Sequence, residues 1–167
     1  MKQPVNNHFQ LDRSAKHFVD PETRFKLILS VYLILIREGK VVLLRRANTG
    51  YEDGNYGLPA GHADGDEPGR AAACREALEE AGVKANPDNL KFVHVMHRRQ
   101  EDERVDFFFT TENWQGEPKN MEPEKCDDLS WFPLDSLPEN TIPYIRQALE
   151  AYQNDVYYSE FGWEGNT

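Results

Sequence analysis

Gly61-His62-Ala63-Asp64-Gly65-Asp66-Glu67 leads through Pro68 into an alanine-rich run that closes on Arg75-Glu76-Ala77-Leu78-Glu79-Glu80-Ala81-Gly82-Val83. The first half mixes glycine with acids and reads as a loop, because glycine loses the most conformational freedom when a helix forms. The second half is built of strong helix formers and stops on Gly82, a residue suited to the left-handed turn after a helix. The spacing predicts a helix over residues 69–81, with Asp66 placed to cap it and Pro68 in its first turn. At about 100° per residue, Glu76, Glu79 and Glu80 share one face. Ala72 extends that face, and Ala71, Cys74, Ala77, Leu78 and Ala81 form the opposite seam.

Three carboxylates at that spacing repel one another, and partial burial would drive a pKa upward. A divalent cation relieves the repulsion, and magnesium and manganese prefer oxygen ligands. Read alone, the face is also compatible with a solvated surface. Two features point to a site. A glycine-rich loop that can approach a ligand closely precedes the helix, and within residues 69–81 no lysine stands at i+4 to pair the acids.

Outward from this segment, residues 25–36 form an apolar, β-branched run that reads as a buried strand. Residues 37–40 make a polar break containing Gly39, and residues 41–46 a second strand, so a hairpin is expected. Residues 47–54 read as a loop, 90–97 and 104–110 as strands joined by a polar run at 98–103, and 114–128 as a long polar connection. Residues 129–132 read as a short strand and 143–152 as an amphipathic helix. Strands interleaved with helices suggest an α/β sandwich. Residues 1–24 are an N-terminal arm or peripheral element, 25–153 the domain, and 154–167 a tail able to pack back on it.

The 167 residues fit one domain with a real core. A net charge of −10 argues against duplex nucleic acid as a partner. Cys74 and Cys126 have no metal or disulfide spacing. The longest apolar run is about ten residues, against about 20 for a membrane helix, and no signal-like segment opens the chain. A cytoplasmic protein with no membrane partner is therefore expected.

The quoted segment resembles the Nudix box, G-x5-E-x7-R-E-U-x-E-E-x-G-U with U a bulky aliphatic. Gly61, Glu67, Arg75, Glu76, Glu79, Glu80 and Gly82 occupy its fixed positions, and Val83 its last U. Ala77 stands at the first U and is smaller than usual. Residues 42–46, 56–61 and 131–138 look like the family's flanking segments, so the similarity spans about residues 25–150. The resemblance implies a Nudix α/β/α sandwich with a mixed sheet. It also implies a hydrolase that cuts a phosphoanhydride bond in a nucleoside diphosphate linked to some group X, using Mg2+ or Mn2+. Glu76 and Glu80 would hold the metal, with Glu79 a third or water-mediated ligand and the Ala60 carbonyl a further one. Arg75 would orient a glutamate, and Glu67 and Gly82 would be structural. Glu76 is one candidate for activating water. Of the acids upstream of Trp131, Glu122 and Glu124, the latter is favoured for that role.

Arg45 and Arg46 end a strand beside the loop and are candidate phosphate ligands along with Gly61, though adjacent strand residues face opposite ways. His62 is a weaker candidate, and Arg98 and Arg99 read as part of a solvated loop or a substrate-selecting one. Tyr51, Tyr56, Phe107, Phe109 and Trp131 could stack a base, but such aromatics are more often core residues. Within the hydrolase reading, a (deoxy)nucleoside triphosphate giving monophosphate and pyrophosphate is favoured over a nucleoside diphosphate sugar or a dinucleotide. The alternatives of another class are a non-catalytic nucleotide sensor, which should have lost box acids, and an isoprenoid diphosphate isomerase.

Overall fold

The computed structural model of the protein describes residues 24–163. The expected N-terminal arm, apart from Arg24, and residues 164–167 of the tail lie outside the described residues. The central strand is β1 (Ile28–Arg37). It starts three residues later than the apolar run suggests, because its parallel partner β7 (Glu103–Thr111) begins to pair with it only at Ile28 and Arg104. Phe25 and Leu27 precede that partner and are exposed.

A two-residue turn at Glu38-Gly39, both with positive φ, joins β1 to β2 (Lys40–Arg46) as an antiparallel hairpin. Positive φ at both central residues matches the right-handed twist of paired strands, and Gly39 adopts it without steric cost. Beyond the turn the two strands diverge, since only Ile36–Val41 and Arg37–Lys40 pair. The segment from β3 (Tyr56–Gly57) through Pro59 to β4 (Ala60–His62) fills the gap, with β3 on β2 and β4 on β1.

Helix α1 (Gly69–Ala81) follows, then β5 (Lys84–Ala85), β6 (Lys91–Arg99), β7, β8 (Trp114–Gln115), β9 (Cys126–Pro133), helix α2 (Pro143–Gln153) and β10 (Tyr158–Phe161). The main sheet runs β10-β6-β7-β1-β2-β3, with β4 on β1 and β9 on β2, and it mixes parallel and antiparallel pairs. Three segments depart from the sequence reading. The long polar connection contains β8, which pairs with β5. Strand β9 starts at Cys126 rather than at residue 129, because Cys126 and Asp128 pair with the arginines that end β2. Residues 158–161 of the tail form β10, parallel to β6 at the edge of the sheet.

Alternation along β1 assigns its two faces. Val31, Leu33 and Leu35 pack with Ala72, Ala73, Ala77 and Ala81 of α1. Tyr32 and Ile34 pack with Tyr144, Ile145, Ala148 and Leu149 of α2. A strand covered on both sides reads as a continuous apolar run rather than an alternating one. The buried seam of α1 corrects the expected one: Ala72 lies in the core, and Leu78 is 49% exposed. Asp66 does not cap the helix. It sits at positive φ; Pro68 takes the N-cap position rather than the first turn, and no side-chain hydrogen bond caps the helix. At the other end, Gly82 is left-handed and donates to the Leu78 carbonyl while Val83 donates to that of Ala77, the expected stop.

Candidate active site

Where β1 and β2 part, the fold opens a cleft of about 500 Å3. The carboxylates of α1 meet it at Ala60 and Gly61, on the strand that bridges the gap.

Arg75 organises this end. Its Nε and Nη2 donate to the two oxygens of Glu67 at 3.0 and 2.9 Å, its Nη1 to Glu76 at 2.6 Å, and its Nη2 to the His62 carbonyl at 3.1 Å. A bidentate guanidinium–carboxylate pair fixes orientation as well as charge. Glu67 is thereby held below the usual carboxylate range, and it ties the loop to the helix by accepting from the Asp64 amide at 3.2 Å. Glu76 lies directly against Gly61, and a Cβ at that position would overlap its carboxylate. Burial raises the Glu76 pKa; the Arg75 contact lowers it, and Glu79 and Glu122 add to the rise.

Glu80 accepts a 2.9 Å hydrogen bond from the Ala60 amide. Leu33 donates to Pro59 and Ala63 to Leu29, so the cross-strand bonds fall at alternate residues and the peptide groups of Ala60 point away from β1. The Ala60 carbonyl therefore opens on the same side as Glu80. Burial pushes the Glu80 carboxyl up to about 7, helped by the charges of Glu76 and Glu122 and opposed by the Ala60 amide and Arg46. The structure thus brings Glu76, Glu80 and Glu122 within electrostatic reach of one another.

Several expected residues lie elsewhere. Glu124 is exposed and does not line the cleft, whereas Glu122 does. The turn that closes with Lys125 and Cys126 amides donating to the Glu122 carbonyl presents Glu122 to the cleft, and Glu122 carries Lys125 at 2.8 Å. Arg45 points away, bonded to Asp127 at 2.7 Å, while Arg46 lines the cleft and donates to the Tyr51 carbonyl and Thr49 Oγ1. Glu79 is 54% exposed and lies 3.6 Å from Arg75, on the solvent side of the cluster. His62 lines the cleft with Nε2 3.3 Å from Arg104. Of the aromatics singled out, Tyr51 borders the cleft, and Phe107, Phe109 and Trp131 pack on the α1 face instead.

Sequence reasoning missed the far end of the cleft. Arg98 belongs to β6, not to a solvated loop, and is 2% exposed. It donates from Nε to Asp106 at 2.5 Å, from Nη1 to Gln100 at 2.5 Å and from Nη2 to the Tyr32 hydroxyl at 3.3 Å, and it covers the Tyr144 ring at 4.0 Å. The signal lay in Asp106. A carboxylate in the middle of an apolar strand must be paired if it points inward.

Residues 26–152 match the family model described as the NUDIX domain. The chain belongs to the Nudix family. It is 25% identical over 147 residues to the protein called phosphatase NudJ of Escherichia coli K12, a match covering 83% of this chain and 95% of that protein. Among solved structures, the MutT NUDIX hydrolase of Burkholderia pseudomallei superposes with a TM-score of 0.70 at 29% identity, over 75% of this chain and 98% of the other. The E. coli ORF135 protein superposes at 0.65 and 25% identity, over 78% and 91%. The mixed sheet between α1 and α2 is the Nudix α/β/α sandwich, and the protein is a Nudix hydrolase. No helix among the described residues is long and apolar enough to cross a membrane.

Among the described residues, no three His, Cys, Asp or Glu side chains form a ready-made cage. Glu76, Glu80 and Glu122 instead supply carboxylate oxygens whose charges oppose one another. An incomplete, all-oxygen set with excess negative charge suits a hard divalent cation that keeps waters and shares substrate phosphates. The residues fit.

Proposed function

We propose that the protein hydrolyses a phosphoanhydride bond in a nucleoside diphosphate linked to X, with a (deoxy)nucleoside triphosphate as the favoured substrate and monophosphate plus pyrophosphate as products. The observation that carries this reading is the Glu80 carboxylate on the Ala60 amide, raised to about 7 beside Glu76 and Glu122 at the mouth of a cleft edged by Arg46. Such a site combines repelling carboxylates with a cation for phosphate.

Glu76 and Glu80 would hold Mg2+ or Mn2+, with the Ala60 carbonyl beside them and Glu79 acting through water from the solvent side. The bound ion supplies charge stabilisation at the phosphoryl oxygens. Arg75 positions Glu76, and Glu67 holds Arg75 in place. Glu122 is assigned as the base. It takes a proton from the attacking water as the new P–O bond forms in line and the bridging P–O bond breaks, with the electron pair leaving on pyrophosphate. Arg46 binds the pyrophosphate that departs.

The test is a panel of nucleoside triphosphates, nucleoside diphosphate sugars and dinucleotides with Mg2+, followed by phosphate and pyrophosphate release. Glu80→Gln should lower kcat about 10^3-fold, the scale of losing one strong electrostatic contact in the transition state. Its circular dichroism should be unchanged. Binding without turnover of any panel member would overturn the hydrolase assignment in favour of a nucleotide sensor.

A further inference from the structure

The far end of the cleft contains a buried polar group that the hydrolytic chemistry does not use. Ser30 on β1 is 2% exposed and lines the cleft, yet its Oγ has no hydrogen-bond partner among the described residues. A buried hydroxyl left unpaired is costly, because it has given up its bonds to water without replacing them. The groups around it have their bonds spent on one another. Ser30 stands across from Asp106 on β7 and His62 on β4. Asp106 is closed by Arg98, and Arg104 by Asp102.

The two ends differ in charge. Near Ala60, Arg46 makes no ion pair among the described residues and donates only to a carbonyl and a hydroxyl. Near Ser30, Arg98 and Arg104 are each neutralised by a carboxylate, and Glu101 lies exposed at the mouth. A second phosphate has no cation to meet at the Ser30 end. A neutral group with a hydrogen-bonding edge does meet a partner there. Ser30 lies one two-residue step along β1 from Tyr32, the partner of Ala60, which is roughly 7 Å in a strand and leaves room for a pentose. Tyr51 stands between the two ends: its hydroxyl donates to Gln100 at 3.0 Å, and the Arg46 guanidinium lies 5.4 Å from the centre of its ring. Aromatic faces stack bases without regard to sequence.

We infer that Ser30 is a specificity-determining residue whose hydroxyl reads the polar edge of a neutral nucleobase, with Tyr51 beside it and the Arg98–Asp106 pair as a closed floor. The placement of the phosphate end rests on the hydrolase reading, but the test needs no turnover. By calorimetry, AMP, GMP, CMP, UMP, ribose 5-phosphate and inorganic phosphate are titrated into the wild type and Ser30→Ala.

The best-bound nucleoside monophosphate should weaken roughly 5–10-fold, the scale of one hydrogen bond. Ribose 5-phosphate and phosphate should bind both proteins equally. The Tm of the free protein should stay the same or rise, since the variant removes an unpaired buried hydroxyl. Equal nucleotide affinities in the two proteins would overturn the assignment. So would an equal loss for ribose 5-phosphate, which would place the contact on the sugar, or a Tm lowered by several degrees, which would make the hydroxyl structural. A wild type that hydrolyses nothing yet shows the nucleotide-only loss in Ser30→Ala would sink the hydrolase reading and leave this one standing.

Discussion

Helices α1 and α2 cover opposite faces of one sheet with opposite kinds of side chain. α1 buries Ala72, Ala73, Ala77 and Ala81. α2 buries Tyr144, Ile145, Ala148, Leu149 and Ala151. Small residues let α1 lie close to the strands, since the spacing of packed elements follows the side chains at the contact. That closeness is what allows Glu80 to reach the Ala60 amide and Glu76 to rest on Gly61. α2 fills volume, and its bulk anchors the wall of the cleft. One helix trades apolar surface for placement of its acids, and the other carries the apolar packing.

The contrast can be broken most sharply at Leu149, fully buried under α2. Leu149→Ala should cost about 2–5 kcal/mol of stability in urea unfolding, while kcat/KM of the still-folded protein holds. A loss of activity at full folding would mean that α2 serves the chemistry directly. Gly61→Ala should do the reverse. The added methyl displaces Glu76, and a misplacement of about 1 Å at a catalytic group can cost about 10^2-fold in rate. Steady-state kinetics beside a melting curve would expose an error if the rate were unchanged.

A third effect lies behind α2. His94 is fully buried, with Nδ1 at 2.7 Å from the Val156 carbonyl and Nε2 at 2.9 Å from Ser159 Oγ. Burial holds its pKa below the ordinary 6.5. The unfolded chain therefore takes up the proton first as pH falls, so the stability that His94 contributes is complete above 6.5 and is lost below it. Glu80, raised in the fold, has the opposite slope. The readout is therefore the difference between wild type and His94→Gln in urea at pH 7.5 and 5.5, which should shrink at the lower pH. The smallest effect belongs to Leu78, exposed on α1. Leu78→Glu should change stability by less than about 0.5 kcal/mol, and a larger loss would return Leu78 to the core seam where its sequence spacing had placed it.

The predictions separate along the line that divided legible from illegible residues. Helix α1 was readable to its ends because alanine, the acids and Gly82 all favour the same local structure. The β1–β2 hairpin was readable from Gly39 between two apolar runs. Divergence of Arg45 and Arg46 followed from strand parity, although parity does not say which of the two faces inward. Leu78 and Ala72 were misplaced because a helix with so many alanines has little apolar contrast around its circumference. Glu124 was favoured over Glu122, which is the one that lines the cleft, because a tight turn with two amides on one carbonyl has no period to read. Arg98 was read as a loop residue and Ser30 was not singled out, for a different reason. Their meaning comes from partners on other strands, Asp106 above all, and a linear pattern does not contain those pairings.

The parallel pairing of β1 with β7 also has a consequence for the order in which the molecule is made. Thr110 bonds the carbonyl of Ile34, 76 positions earlier in the chain. As the chain leaves the ribosome, the most apolar strand has only β2 and the short β4 to pair with until residues 103–111 emerge. Closing so long a loop is entropically costly and slows folding. The sheet can be completed only late, since β10, the last strand to emerge, pairs with β6 at its edge. For that interval β1 is the stretch of nascent chain that most needs to be shielded from other chains.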